Sequence, residues 1–290
     1  METGELNAPS FKQQFKSREE LHFPEGKITV VDVVPRVLSD ETPVLLVPGW
    51  SENYDTYKKT LAVGFNEGRR IVTVGQSGNG QSPESQEYPE EELRKAQLLL
   101  NVLGKKGIEK ADVIAHSEGA INGLIAAIMK PYQFRNIVLD KPAGFIGKDT
   151  KAALTGRFIK LLLQEIIARP ILLTDSTSSI RAGARTARYI AENPQRVLKE
   201  MDALTSVDIT EIMTSLSNQG IKFSVIAGVN DPLFPVSRQI ADMREHGNVP
   251  PLKGYYSVIG GHNKLSIDAS RHASLAFNAL ENLRDLKDSS

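Results

Sequence analysis

Short, unbroken apolar runs alternate along this chain with helix-like stretches, and that alternation constrains the fold more than any other feature. Val44-Leu45-Leu46-Val47 is a continuous apolar strand, Val113-Ile114-Ala115 and Ile137-Val138-Leu139 are further apolar strands, and Arg70 to Val74 is another strand. Unbroken apolar strands are buried on both faces, which is the situation of a parallel sheet covered by helices. Between the runs, Tyr54 to Phe65, Pro89 to Leu103 and Ile121 to Met129 read as helices. Pro89 suits a first turn, and the acidic residues after it suit the helix dipole. The expected class is α/β: a mostly parallel central sheet flanked by helices and joined by right-handed crossovers.

The rhythm breaks after the strand near residues 136–140. From Gly144 to Gly220 the pattern is helical only, and strands resume at Ile221 to Ala227 and Tyr255 to Ile259. The expected organisation is a core of residues 23–143 and 217–290, with residues 144–216 inserted as a helical cap. Ala269 to Leu286 closes the chain as an amphipathic helix. Residues 1–22 read as an N-terminal arm. Phe11 and Phe15 have helical spacing there, but a loosely packed tail is expected.

Composition excludes several functions. Formal net charge is zero, so nothing favours nucleic acid or an anionic membrane as partner. The chain has no cysteine, which rules out disulfides, thiolate nucleophiles and cysteine–zinc sites and fits a reducing compartment. Met1 to Phe23 has no apolar signal-peptide core, and the greasiest stretch, Phe158 to Leu173, is interrupted by charges and Pro170. A cytoplasmic protein without a membrane span is expected. Its oligomeric state is left open.

The segment Val113-Ile114-Ala115-His116-Ser117-Glu118-Gly119-Ala120 carries the chemistry. An apolar strand ends in a serine with small residues two positions either side, and a helix follows. A sharp strand-to-helix turn of this kind pushes a serine hydroxyl out of the backbone, and it tolerates only small neighbours. Taken alone, the segment also suits an ordinary strand-to-helix turn. Three other strand ends add to it. Gly228-Val229-Asn230-Asp231-Pro232-Leu233-Phe234-Pro235 follows one strand, Gly260-Gly261-His262 follows the last, and Pro48-Gly49-Trp50 follows an early one. Catalytic groups gather at the carboxyl ends of parallel strands. Nucleophile, acid and base then run in the order Ser117, Asp231, His262.

In these segments the chain resembles the α/β-hydrolase superfamily, in particular its capped, serine-nucleophile, esterase-like members. The elbow has Ala115 in place of the first glycine of G-x-S-x-G. The loop Gly75 to Ser82 is similar to the D-x-R-G-x-G-x-S turn, with Gly75 and Ser77 replacing its Asp and Arg. Gly228 to Pro235 is similar to the G-x-x-D-x-x-x-P acid loop, and Pro48-Gly49 stands where His-Gly is usual. The resemblance implies an α/β-hydrolase fold and a hydrolase that cleaves a carboxylic ester of a small-to-medium hydrophobic molecule through an acyl-enzyme. It implies catalytic Ser117, Asp231 and His262, an oxyanion hole from the backbone N–H groups of Trp50 and Glu118, and no cofactor or metal. Two alternatives stay open. The same triad can serve lactone, amide or C–C hydrolysis, acyl transfer or cofactor-free perhydrolysis, and the same scaffold can serve as a small-molecule receptor.

Other residues carry weaker expectations. Trp50, Phe158, Leu162 and Ile166 are candidates for lining the acyl pocket. Asp140 is a second candidate acid, and His116 is read as packing beneath the loop. Glu118 is expected to complement the helix N-terminus, with repulsion of anionic substrates as the alternative. Arg181, Arg185 and Arg188 share one helix face and read as solvated, although such a face could also rim the pocket with positive charge. His22, His246 and His272 read as surface groups.

Overall fold

The computed structural model describes residues 9–75, 91–147, 149–167, 186–245, 252–263, 265 and 269–286, with backbone only for 162–167. Eight strands form one sheet: β1 (Glu19–Phe23), β2 (Gly26–Val33), β3 (Asp40–Val47), β4 (Arg69–Val74), β5 (Ala111–His116), β6 (Phe134–Asp140), β7 (Lys222–Gly228) and β8 (Leu252–Val258). Their order is β1-β2-β4-β3-β5-β6-β7-β8. β1, β2 and β4 pair antiparallel, and every other neighbouring pair is parallel. The chain leaves β3 to one side for β4 and returns on the other side as β5. That reversal opens a crevice beyond the carboxyl ends of β3 and β5, where open α/β sheets bind their ligands.

The unbroken apolar strands serve two cores. Along β3, Leu45 and Val47 point into one cluster, while Val44 and Leu46 point into the other. Successive side chains of a strand take opposite faces, so a run with no polar residue needs helices on both. One face is covered by α3 (Glu91–Lys105) and α4 (Gly119–Met129), the other by α2 (Lys58–Asn66) and α9 (Ala269–Asp285). Gly64 lets α2 approach closely, because a Cβ there would lie 2.4 Å from both Phe277 and Ile71.

Between β6 and β7 the described residues are helical, as expected: α5 (Lys151–Ile167), a helical stretch at 186–192, α6 (Pro194–Ser206) and α7 (Ile209–Ser217). One further helix, α8 (Val236–Glu245), lies between β7 and β8. Among the described residues, no helix is long and apolar enough to cross a membrane.

Three expectations need correction. Residues 9–22 are not a loose arm. Phe11–Lys16 forms helix α1, closed by a capping box between Ser10 and Gln13, and Glu19–Phe23 is the outermost strand. Phe15 is buried, Phe11 packs 5.8 Å from it and 5.6 Å from Phe65, and the Gln14 amide bonds the backbone of Val34 in both directions. His272 is buried rather than at the surface, since it lies on the inner face of α9 beside Ala269 and Ala273. Helix α2 begins at Lys58 rather than Tyr54, because residues 54–57 form turns.

The buried ring of Phe277 holds α9 against the sheet. Phe277→Ala should therefore lower unfolding free energy by about 3–5 kcal/mol in urea denaturation. A loss under about 1 kcal/mol would contradict this packing.

Candidate active site

The turn after β5 is built by steric constraint. Ser117 has φ 54°, in the left-handed region that non-glycine residues avoid at a cost of about 1–3 kcal/mol. Its N–H donates to the Asp140 carbonyl at 3.0 Å, and its own carbonyl accepts from Ala120 and Ala143 at 3.1 Å each. A Cβ on Gly119 would lie 2.5 Å from the Pro48 carbonyl oxygen and 2.6 Å from that of Val47. Only glycine lets the first turn of α4 settle on the end of β3. Gly49 is equally confined, since its Cβ would come within 3.1 Å of the Ser117 Cβ.

Residues from three strand ends meet here. His262 Nε2 lies 2.9 Å from Ser117 Oγ, and His262 Nδ1 lies 2.8 Å from Asp231 Oδ2. The other carboxylate oxygen of Asp231 accepts the N–H groups of Leu233 (2.8 Å) and Phe234 (3.3 Å). Burial alone would raise the Asp231 pKa. The His262 imidazole and these hydrogen bonds outweigh it and hold the carboxyl below its ordinary value. The acid and histidine loops are tied by Asn230 N–H to the Gly260 carbonyl at 3.1 Å. A Cβ on Gly228 would sit 2.9 Å from that carbonyl, so this glycine makes room for the histidine loop.

Ser117 and His262 border a cavity of about 290 Å³, with Asp231 behind His262. Trp50, Leu154, Phe158, Leu161, Met201 and Leu204 supply much of its apolar wall. The side chains of Leu162 and Ile166 lie outside the described residues. Of the three arginines, Arg188 is exposed and pairs with Glu192 at 2.7 Å, while Arg181 and Arg185 lie outside the described residues, as do His246 and the turn at 76–82. His22 is exposed. Among the described residues, no cluster of His, Asp and Glu could hold a metal ion.

Asp140 does not face His262. It binds Lys141 Nζ at 2.8 Å and lies 3.7 Å from His116 Nε2. Glu118 is corrected as well. Its side chain is fully buried, away from the cavity, and accepts from Lys95 Nζ at 2.7 Å. It makes no side-chain cap hydrogen bond at the start of α4.

His116 does more than pack. Its Nε2 faces two acceptors, the His262 carbonyl at 3.1 Å and the Asp140 carboxylate, so this nitrogen carries a proton. Its Nδ1 lies 2.7 Å from the Tyr57 hydroxyl and 3.1 Å from Glu52 Oε2. Tyr57 itself donates to Glu52 in a short contact, which leaves the Tyr57 oxygen to accept from Nδ1–H. The network is satisfied by an imidazolium paired with a carboxylate. Burial would lower the His116 pKa, but Glu52 and then Asp140 raise it overall, against Lys141. Burial would raise the Glu52 pKa, but His116 and Tyr57 bring it below the ordinary value. This pair holds the backbone of the residue that carries the imidazole, and the His116 and His262 rings lie 4.9 Å apart. No local pattern marks Glu52 or Tyr57, whose roles come from a loop folding back on β5.

A family model described as alpha/beta hydrolase fold matches residues 42–275, and the chain belongs to that family. Solved structures share the fold at low identity. A bromoperoxidase from Bacillus anthracis superposes with a TM-score of 0.67 at 13% identity, covering 91% of this chain and 100% of that one. The enol-lactonase from Burkholderia xenovorans gives 0.65 at 13% identity, over 91% and 100%. An esterase from Exiguobacterium antarcticum gives 0.64 at 13% identity, over 88% and 96%.

The Glu52–His116 pair makes stability depend on pH with a definite sign. The folded state keeps the His116 proton after the unfolded chain has released it near pH 6.5. The pair's contribution is therefore complete between about pH 4.5 and 6.5, is lost as pH rises through the higher folded value of His116, and is lost at acid pH as Glu52 takes up a proton. Urea unfolding of the wild type should show that alkaline loss, and Glu52→Gln should flatten it. Equal slopes in the two proteins would contradict the assignment.

Proposed function

We propose that the chain is a serine hydrolase acting on small-to-medium, uncharged, hydrophobic carboxylic esters. The observation that carries this reading is the unbroken line from Ser117 Oγ through His262 to Asp231, at 2.9 and 2.8 Å, on the border of an apolar cavity. His262 Nε2 takes the Ser117 proton as Oγ bonds to the ester carbon. Asp231 fixes the tautomer and stabilises the imidazolium. The oxyanion is held by the N–H groups of Trp50 and Glu118, the first at the end of β3 and the second at the start of α4. Collapse breaks the ester bond, and the leaving alkoxide takes the proton from His262. Water, deprotonated by His262, then attacks the acyl-enzyme and frees Ser117.

The substrate class follows from the lining. About 290 Å³ is at the small end of ligand pockets, which span about 300–1,000 Å³. Among the described lining residues there is no lysine or arginine to bind a substrate anion, and the one acidic residue, Glu52, is engaged by His116 and Tyr57. The helices inserted between β6 and β7 act as a cap. Arg157 of α5 donates to the Leu233 carbonyl at 2.8 Å, and Ser51 shares a 2.7 Å hydroxyl contact with Thr186, so the cap rests on the acid loop and the Trp50 loop.

p-Nitrophenyl esters from acetate to laurate test the reading. Wild type should turn over the shorter esters fastest, Ser117→Ala should lose about 10⁴–10⁶-fold in kcat, and Asp231→Asn about 10⁴-fold. Wild-type turnover no higher than that of Ser117→Ala on every ester would overturn it.

A further inference from the structure

One ammonium beneath the site touches both of its halves. Lys95 of α3 is almost wholly buried, and its three N–H donors meet three carboxylates: Glu118 at 2.7 Å, Glu200 at 2.7 Å and Glu92 at 3.3 Å. Glu118 follows the nucleophile. Glu200, on α6, accepts the Trp50 indole N–H at 2.6 Å and the Tyr189 hydroxyl at 2.6 Å. The Trp50 ring is further held edge-on by Phe158 and Tyr189, at 5.7 and 5.9 Å. Arg196 adds a second tie, bonding Glu91 of α3 closely and lying 3.5 Å from Glu200.

Buried charge of this kind is expensive unless its partners are fixed, and removing one partner leaves the others uncompensated. Four carboxyl groups (Glu91, Glu92, Glu118, Glu200) are gathered with three cations (Arg94, Lys95, Arg196). Burial, then Glu92, pushes the Glu118 carboxyl well above its ordinary value despite Lys95, and burial pushes the neighbouring Glu92 carboxyl up as well. Burial would lower the Lys95 pKa, but the surrounding carboxylates raise it, so the ammonium stays charged.

We propose that Lys95 is a positioning residue for the oxyanion hole. Through Glu118 it fixes one backbone donor, and through Glu200 and the Trp50 indole it fixes the other, so that both are set by a single ion. This inference rests on the hydrolase reading above. Lys95 is not among the described residues that line the cavity. An interaction that aligns oxyanion donors acts on the transition state, so its loss lowers kcat and leaves KM nearly unchanged.

Trp50 is the only tryptophan in the chain, so intrinsic fluorescence reports this linkage independently of turnover. In Lys95→Met, acrylamide quenching of Trp50 should rise at least about twofold. Its kcat should fall about 10–100-fold, less than the loss of about 10²–10³-fold for removing an oxyanion donor outright, because the donors are displaced rather than lost. KM should stay within about threefold, and an alkyl boronic acid, which forms a tetrahedral adduct, should lose affinity in parallel with kcat. A folded Lys95→Met with wild-type kcat and wild-type quenching overturns the proposal, as does a rise in KM alone. If Lys95→Met does not fold, Trp50→Phe decides, because it cuts the indole link and leaves the ion cluster whole. A kcat loss of about tenfold with little change in KM supports the proposal, and unchanged kcat overturns it. Failure of the underlying reading looks different: the wild type itself would neither hydrolyse esters nor bind the boronic acid.

Discussion

The arrangement depends on one close approach. The first turn of α4 sits on the carbonyl oxygens of Val47 and Pro48 with no space for a Cβ at position 119. That contact joins the ends of β3 and β5, and it forces Ser117 into a left-handed conformation with its hydroxyl raised. Separate the two strand ends by one methyl group, and both nucleophile and proposed oxyanion donors lose their relation.

Around that contact the protein carries two buried ionic assemblies. On one side Glu52, Tyr57 and His116 hold the backbone of His262. On the other, Lys95 gathers Glu118, Glu200 and Glu92. Ion pairs buried in this way contribute little net stability over well-packed apolar side chains, but they are directional and do not slide. Apolar packing gives the two cores their stability, since it needs only area and volume. The ionic assemblies lie where a shift of a few tenths of an ångström matters, and geometry rather than stability accounts for their placement.

Much of this was legible in the sequence because its signals are local. The unbroken runs at 44–47 and 113–115 announced a parallel sheet, and they are central strands. The small residues about Ser117 announced the turn. Asp231 and His262 were found because each follows a strand and is flanked by glycine or proline. What escaped is long-range. Nothing in the local sequence marks Lys95 or Glu200, and their burial follows only once α6 is laid over α3. Asp140 and Glu118 sit at strand and helix ends, and only the tertiary partners, Lys141 and Lys95, show that their side chains are engaged elsewhere. Phe11 and Phe15 gave a correct helical spacing, but six residues are too short for spacing to outweigh a polar composition.

The most direct test of the central claim is covalent labelling with an alkyl fluorophosphonate, read by intact mass and peptide mapping. The proposed mechanism predicts one adduct per chain, located on Ser117, with labelling slowed at least about 10³-fold in His262→Ala. An unlabelled protein, or an adduct on any other residue, would contradict it.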